Sequence, residues 1–251
     1  MVAGKSIDRS RDRIDISEDE FYHRLLHDPI HPSTTQPTPQ DFADTYQKLA
    51  QETSGIISIH ISSRLSGTYN SALQGEKLVE DGCPIEVVDS QTLSAAIGLI
   101  AIEAARIAMS GKNLQQIAAE VRRIIPNIHV LILFDTLKYL AKGGRIGKAK
   151  VLLGSILNVK PLLTIKDGEL VPAGQVRTRS MGIQRLFDFM KNATDIQDLT
   201  IINSTTPDEV QDLVDRTSSI FSKEHTILAR LGPALGVHGG PGILGIGFRE
   251  K

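Results

Sequence analysis

The sequence predicts an α/β protein of two domains, a parallel-sheet α/β domain over residues 1–147 and an α+β domain over residues 148–251. Short apolar strands alternate with helices from residue 55 to 134, which is typical of a parallel sheet covered on both faces. After about Leu140 the pattern changes to a hairpin followed by mixed strands and helices. The chain has 251 residues, of which 41% are hydrophobic, so it can bury two cores of modest size.

Two capped helices precede the first strand of the alternating region. Ser17 and Glu20 have the spacing of a capping box and begin one helix. Thr38 as N-cap, with Pro39 at the first helical position, begins a second helix that we expect near residues 42–51. The sequence before about residue 16 shows no convincing period and predicts a loop or a short edge strand.

The alternating region then supplies three strands and three helices. We expect strands at 55–62, 85–89 and 129–134, and helices at 67–80, 93–109 and 113–125. Ligands of such sheets collect at the carboxyl ends of the strands. Residues 62–66 and 89–94 follow two of these strands, so both turns are candidate binding segments.

The second half of the chain has a different order of elements. We expect a helix at 148–157, followed by a hairpin at 161–176 that turns at Asp167-Gly168. A helix at 181–191, a strand at 199–203 and a helix capped by Thr206 come next. The last two strands, at 226–231 and 243–248, lie on either side of a glycine-rich segment, 232–242. This order predicts a second α+β domain.

Composition excludes several classes of function. A formal charge of −1 and 4% aromatic residues argue against a nucleic-acid partner. The single Cys83 cannot form an internal disulfide, and no apolar run approaches the roughly 20 residues of a membrane span. We therefore expect a cytoplasmic protein without integral membrane association.

The candidate chemistry lies in hydroxyl-rich turns and one histidine. Ser66-Gly67-Thr68 opens a helix after a strand, where unpaired N–H groups and the helix dipole favour a carboxylate or a phosphate. Ser90 lies in a similar turn after the next strand. Serine and threonine at a helix start are also ordinary caps. His238 lies in a glycine-rich segment that would let the backbone approach a ligand closely.

Other residues leave alternatives open. Arg145 follows two glycines and Arg177 follows the hairpin, so each is either a solvated arginine or a bidentate partner for an anion. No His, Cys, Asp or Glu cluster has metal-ligand spacing, which predicts no metal site. Ser66 as nucleophile with His238 as base would instead make a small-molecule hydrolase or transferase, but no orienting carboxylate is evident.

Six segments occur together in the order and spacing of one known family. They are Thr34-Thr35-Gln36-Pro37, Ser62-Ser63-Arg64-Leu65-Ser66-Gly67-Thr68-Tyr69, Val88-Asp89-Ser90, Gly143-Gly144-Arg145-Ile146, Asn158-Val159-Lys160-Pro161-Leu162-Leu163 and Gly236-Val237-His238-Gly239-Gly240-Pro241-Gly242. On these segments the chain resembles the DegV family of fatty-acid-binding proteins.

The resemblance implies a two-domain fold that buries one long-chain fatty acid between its domains. It also implies a non-catalytic subunit without a cofactor, which presents the carboxyl group to a separate, ATP-using fatty acid kinase subunit in bacterial phospholipid metabolism. The family pattern, with the turns described above, gives this set of ligand-binding residues: Thr34, Thr35, Ser66, Gly67, Thr68, Ser90, His238 and Gly239. Thr34, Ser66 and His238 would hold the carboxylate. Arg145 and Arg177 would face the kinase.

One departure from the family pattern concerns the N-terminus. Members of the family usually begin with a strand and an Asp-Ser-Thr or Asp-Ser-Cys turn upstream of the first residue here. We therefore expect the first sheet to lack that strand, which would expose a sheet edge. A third hypothesis, beside the fatty-acid-binding protein and the hydrolase or transferase, is a structural or regulatory protein whose ligand pocket has decayed. The presence of Thr34, Ser66 and His238, the residues that would hold the carboxylate, argues against it.

Overall fold

The protein is described by a computed structural model over residues 2–3, 9–10, 14–80, 82–152 and 159–251. Its contacts divide the chain into two compact units. The mixed-sheet unit comprises Met1–Thr35, His129–Lys166 and Leu170–Lys251, and the parallel-sheet unit comprises Gln36–Ile128 with Asp167–Glu169. The predicted α/β class is confirmed.

Strands and helices are numbered in chain order. The strands are β1 (Val2–Ala3), β2 (Arg9–Ser10), β3 (Ser33–Thr34), β4 (Ile56–His60), β5 (Ile85–Asp89), β6 (Ile128–Leu133), β7 (Lys160–Lys166), β8 (Glu169–Val176), β9 (Ile196–Asn203), β10 (Thr226–Arg230) and β11 (Leu244–Glu250). The α-helices are α1 (Glu18–His27), α2 (Pro39–Ala50), α3 (Thr68–Glu76), α4 (Ala95–Met109), α5 (Leu114–Ile124), α6 (Lys138–Lys142), α7 (Arg179–Lys191), α8 (Pro207–Thr217) and α9 (Pro233–Gly239).

The predicted starts of α1 and α2 are confirmed by their capping hydrogen bonds, whereas Thr206 at the start of α8 makes no capping bond. The Ser17 hydroxyl accepts from the Glu20 backbone N–H at the start of α1. Thr38 and Asp41 cap each other reciprocally at α2, where Pro39 is the first helical residue. These side chains satisfy backbone N–H groups that have no partner within their own helix.

The parallel-sheet unit is built on two strands. β4 and β5 pair in parallel, with Ile56 opposite Ile85 and His60 opposite Asp89. Ile57 and Ile59 of β4 pack against a buried apolar cluster that α4 and α5 place on one face of this sheet. The buried members of the cluster are Val88, Ile100, Ala104, Ile117, Val121 and Ile124.

The mixed-sheet unit contains a six-stranded sheet in the order β10-β9-β11-β6-β7-β8. β10 and β9 run parallel, whereas β11 with β9 and β6 with β7 run antiparallel. The prediction that strand 129–134 joins the parallel sheet is therefore wrong. Leu131 and Leu133 of β6 are buried in the core of the mixed sheet, because the hairpin strand β7 offers β6 a local antiparallel partner.

The observed units do not follow a division at residue 147. The pairing of β6 with β7 joins residues on both sides of that position, with Leu131 opposite Thr164. The first 35 residues also belong to the unit that contains the C-terminus. Strand pairing is non-local, so a change in local pattern along the sequence marks new connections and not the limits of a packed unit.

The hairpin is confirmed, with its turn at Asp167 and Gly168 between β7 and β8. Both residues have positive φ, 52° and 78°, as the tightest hairpin turns require. The helix predicted at 148–157 is seen as a 3₁₀ helix over Gly147–Leu152, and residues 153–158 lie outside the described part of the chain.

The glycine-rich segment 232–242, for which the sequence predicts no helix, contains the short helix α9 at Pro233–Gly239. Val237 is fully buried in a cluster with Ile16, with Phe21, Tyr22 and Leu25 of α1, and with Tyr139 of α6. A Cβ on Gly236 would collide with the Phe21 and Tyr22 rings. Glycine here permits close helix packing, so its abundance does not signal a loop.

Candidate functional site

The turn Ser66-Gly67-Thr68 lies between β4 and α3 in the parallel-sheet unit. The Ser66 and Thr68 hydroxyls are 2.8 Å apart, and the Thr68 backbone N–H donates to Ser66 Oγ at 3.3 Å. Gly67 is the N-cap of α3 and offers no side chain. The first turn of α3 therefore presents two paired, half-buried hydroxyls beside the positive end of the helix, a setting that suits an anion.

Gly67 lies against the side chain of Gln36, a residue of the Thr34-Thr35-Gln36-Pro37 segment. A Cβ on Gly67 would lie 2.7 Å from Nε2 of Gln36. The exposed Gln36 side chain would therefore have to move to accommodate an alanine at this position.

Ser62 holds this turn, although the sequence analysis did not single it out. Its backbone carbonyl accepts from the N–H groups of Leu65 and Ser66. Its hydroxyl donates to the Gly168 carbonyl at 2.7 Å and is fully buried. Arg64 adds an ion pair to Glu169 at 3.6 Å. A signal for this role was present in the sequence, since Ser62 stands two residues after the end of the apolar strand β4.

The turn after β5 is shaped by its own side chains. Ser90 is fully buried, and its hydroxyl donates to the Thr92 carbonyl at 3.4 Å. Gln91 and Ser94 both have positive φ, at 52° and 58°. Residues other than glycine rarely adopt this conformation, which costs about 1–3 kcal/mol and occurs in tight turns and at functional sites.

Thr34 and His238 are brought together in the mixed-sheet unit. Thr34 Oγ1 of β3 lies 2.9 Å from Nε2 of His238 in the last turn of α9. The two residues are separated by 204 positions in the sequence. Thr35, the next residue, is exposed, and Gly239 is buried after His238. A Cβ on Gly239 would collide with Ile243, so this glycine serves the packing of α9.

The surroundings of His238 keep its imidazole neutral. Burial, followed by the charges of Arg145 and His31, lowers the pKa of His238 to about 4, against a weaker opposing effect of the Gly143 backbone. Gly143 lies so close that a Cβ there would collide with Nδ1 of His238. A neutral imidazole can donate from one nitrogen and accept at the other, which suits a hydroxyl or carboxyl partner.

Cationic side chains surround this histidine. Arg145 is exposed and donates to the Gly143 carbonyl at 2.8 Å, which holds its guanidinium on the same backbone segment that packs against His238. Lys142 of α6 and burial together lower the pKa of His31, burial having the larger effect. The cations Arg145, beside His238, and Lys142, beside His31, create a positive potential that favours an anion.

Arg177 lies elsewhere in the mixed-sheet unit. It directly follows β8 and is exposed, one residue before the N-cap Thr178 of α7. Two residues later, Arg179 forms a two-pronged ion pair with Glu209, at 2.9 and 2.6 Å. This pair fixes the start of α7, and with it the backbone from which Arg177 projects.

The described residues contain no group of three or more His, Cys, Asp or Glu side chains arranged to hold a metal ion. Within the same residues, no helix combines the length and the apolar character needed to cross a membrane.

Comparison with known proteins identifies the family. Residues 4–251 match the family model described as an uncharacterised protein of the DegV family. A DegV domain-containing protein from Caldanaerobacter subterraneus is 34% identical over 254 residues, which cover 100% of this chain and 89% of that protein.

Solved structures of DegV proteins have the same fold. A fatty-acid-binding DegV family protein from Thermus thermophilus matches with a TM-score of 0.91 and 29% identity, over 100% of this chain and 90% of that one. A DegV fatty-acid-binding protein from Bacillus subtilis matches with a TM-score of 0.87 and 26% identity, over 100% and 89%. A stearic-acid-binding protein from Eubacterium ventriosum gives 0.88 and 25%, over 99% and 89%. The chain therefore belongs to the DegV family.

Proposed function

We propose that this protein binds one long-chain fatty acid and that Thr34, Ser66 and His238 hold its carboxyl group. The observation that carries the proposal is the 2.9 Å hydrogen bond between Thr34 and a neutral His238 beside the cation of Arg145. The fatty-acid-binding DegV proteins from Thermus thermophilus and Bacillus subtilis, which share this fold, support the fatty acid as ligand.

The acyl chain and the head group of a fatty acid contribute to binding in different ways. Each buried CH₂ contributes about 0.8 kcal/mol, so the acyl chain supplies most of the affinity. The head group needs only hydrogen bonds that replace those it made to water. Thr35, Gly67, Thr68, Ser90 and Gly239 complete the proposed ligand-binding set, with the glycines allowing close packing and Ser90 shaping its turn.

Native mass spectrometry of the protein purified from bacteria tests the binding. We expect a bound species whose added mass matches a long-chain fatty acid, and uptake of palmitate or oleate by delipidated protein. A folded protein that neither carries nor takes up a fatty acid would contradict the proposal.

Two substitutions test the proposed head-group contacts. Thr34→Val keeps the shape of the side chain and removes its hydroxyl, and His238→Gln removes the imidazole. We expect each to weaken palmitate binding about tenfold, as the loss of one or two hydrogen bonds predicts. Ser33→Ala, at the exposed neighbour of Thr34, is the matched control and should bind as the wild type does.

We further propose that the bound carboxylate is presented to a separate fatty acid kinase subunit, with Arg145 and Arg177 on the surface that meets it. Both arginines are exposed, and cationic side chains suit an acidic partner surface or a transferred phosphate. Arg177→Ala should reduce phosphate transfer to the bound fatty acid about tenfold and leave palmitate affinity unchanged. Arg185→Ala, an exposed arginine of α7, is the control. If Arg177→Ala and Arg185→Ala reduce phosphate transfer equally, Arg177 is not part of the surface that meets the kinase.

The hydrolase alternative is tested with the isolated chain. Ser66 is hydrogen-bonded to Thr68, and His238 to Thr34, so neither residue is engaged as one half of a nucleophile–base pair. We expect no turnover of p-nitrophenyl acyl esters. Turnover that Ser66→Ala abolishes would favour the alternative.

A further inference from the structure

His31 lies next to the Thr34–His238 pair and takes no part in the proposed head-group contacts. It stands three residues before Thr34, and its imidazole interacts with the backbone of Val237, the residue before His238. Its ring centroid is 6.0 Å from that of Tyr139. These contacts hold the side chain between α6 and α9.

One nitrogen of His31 has an unmet capacity for hydrogen bonding. Nε2 is shielded from solvent and has no hydrogen-bond partner within the described part of the chain. A buried polar atom without a partner costs roughly 1–3 kcal/mol. Such an atom beside a proposed binding site is explained when the ligand itself supplies the missing partner.

The neighbours of His31 carry positive charge. Lys142 lies close enough to interact with it electrostatically, and Lys138 lies 4.8 Å above the Tyr139 ring on which His31 packs. Arg145 adds a third cation beside the neighbouring His238. Without an anion, a proton on His31 would be repelled by these charges.

Asp19 and Glu20 of α1, the helix that precedes His31, and Asp28 at its C-terminal end have cationic partners of their own. Asp19 pairs with Arg230 at 2.6 Å, and Arg24 lies 3.9 Å from Glu20 and 3.3 Å from Asp28. Burial and Lys142 are the effects that lower the pKa of His31. The charge that acts on His31 is thus that of Lys142, and an incoming carboxylate would oppose its repulsion of a proton.

We propose that His31 is a further residue of the carboxyl-binding site and that it takes up a proton from solvent when the carboxylate binds, donating Nε2–H to a carboxylate oxygen. This inference rests on the proposed fatty acid function and deepens it. Protonated His31 forms a charge-assisted hydrogen bond, which is about twice as strong as a neutral one. The proton comes from the buffer, so binding is coupled to net proton uptake.

The coupling fixes a direction for the pH dependence. An imidazole that is neutral in the free protein and protonated in the complex makes binding stronger as pH falls towards the pKa of the free site. A long-chain alkyl sulfonate stays ionised from pH 8 to 5, so any proton taken up with it resides on the protein. Hexadecanesulfonate is therefore the probe that separates protonation of His31 from protonation of the ligand.

Calorimetry in buffers of different ionisation enthalpy measures the proton uptake at pH 7, with palmitate and with hexadecanesulfonate. We expect uptake by the wild type with both ligands. The His31→Gln variant should take up at most half as many protons as the wild type, and its palmitate affinity should fall about threefold to tenfold. His225→Gln, at an exposed histidine, should match the wild type.

A second measurement needs no substitution in the measured sample. The ¹⁵N chemical shifts of the His31 ring distinguish neutral from protonated imidazole, and we expect them to change from neutral to protonated when hexadecanesulfonate is added. Palmitate binding with the same proton uptake in His31→Gln, or a ring that stays neutral in the complex, would overturn the role of His31 alone. Failure of the wild type to bind palmitate would overturn the proposed function together with it.

Discussion

His238 shows how a single side chain acquires its properties from distant parts of the sequence. Thr34 supplies its hydrogen bond, while burial, followed by the charges of Arg145 and His31, opposes its protonation. The same imidazole in an unfolded chain would titrate near 6.5. The difference between the two states makes His238 a determinant of stability as well as a candidate for binding.

Stability should therefore fall in acid. Below about pH 6.5 the unfolded chain binds a proton at this residue, while the folded imidazole stays neutral down to a pKa of about 4. Stability is fully retained above pH 6.5 and is lost as pH falls through that window. Since the ring is only half-buried, we expect a loss of about 1–2 kcal/mol, less than the full shift would give.

Urea unfolding of the ligand-free protein between pH 7.5 and 4 measures this loss. His238→Gln should flatten the profile by the stated amount, and His225→Gln should leave it unchanged. If both variants follow the wild-type profile, the pKa of His238 is not depressed in the folded state.

Among the helices, α2 and α8 illustrate the value of a side-chain cap. Thr38 and Asp41 cap α2 with two reciprocal hydrogen bonds. Thr206 occupies the same position at α8 but makes no such bond to its helix. Both helices begin with proline, so they differ mainly in the cap.

Thr38→Ala should lower the free energy of unfolding by about 1 kcal/mol, within the usual range of 0.5–2 kcal/mol for the loss of a cap. Thr206→Ala should cost less, because its hydroxyl makes only a 3.4 Å bond to the Ile243 carbonyl. Chemical unfolding of the two variants compares them, and equal losses would show that the cap bond of Thr38 contributes nothing.

The turn between β7 and β8 combines two constraints at one glycine. Gly168 has a φ of 78°, and a Cβ on it would lie 2.5 Å from Oγ of Ser62. Gly111 has a similar φ of 83° but faces open space. Comparing alanine substitutions at Gly168 and Gly111 therefore separates two contributions to the free energy of unfolding: the left-handed backbone, which both share, and the displacement of Ser62, which occurs only at Gly168.

We expect Gly168→Ala to destabilise the protein by about 2–4 kcal/mol and Gly111→Ala by about 1 kcal/mol. The larger value includes the displaced hydroxyl, which would leave the buried Ser62 without its acceptor. Thermal unfolding provides the comparison. A Gly168→Ala variant no less stable than Gly111→Ala would mean that Ser62 adapts without cost.

For the molecule as a whole, the two units place the proposed contacts in different parts of the fold. Thr34, His238, Arg145 and Arg177 belong to the mixed-sheet unit, and Ser66, Thr68 and Ser90 belong to the parallel-sheet unit. A ligand that binds the folded chain and not the unfolded one stabilises the whole molecule by mass action.

Palmitate at 100 times its dissociation constant should stabilise the delipidated protein by about 2.7 kcal/mol, which raises the Tm by roughly 5–10 °C for a chain of this size. Methyl palmitate, which lacks the ionisable head group, is the control and should give a smaller shift. Differential scanning calorimetry measures both, and identical shifts would show that the head group adds nothing to binding.

The sequence by itself determined the α/β class, most of the helices and strands, and the hairpin turn. These depend on local signals: the Thr38 cap, the period of apolar residues in β4 and β5, and the residues of the turn at Asp167 and Gly168. The family also followed from the sequence, because six short segments in a fixed order are specific without any knowledge of packing.

Only the tertiary structure decided which segments meet. It placed β6 in the mixed sheet, turned the glycine-rich segment 232–242 into α9, and joined Thr34 to His238 across 204 positions of sequence. It also revealed the contacts of Ser62 with Gly168 and of His31 with Val237, which join residues far apart in the sequence. Pairing of strands and burial of polar atoms depend on residues far apart in sequence, so no local pattern encodes them.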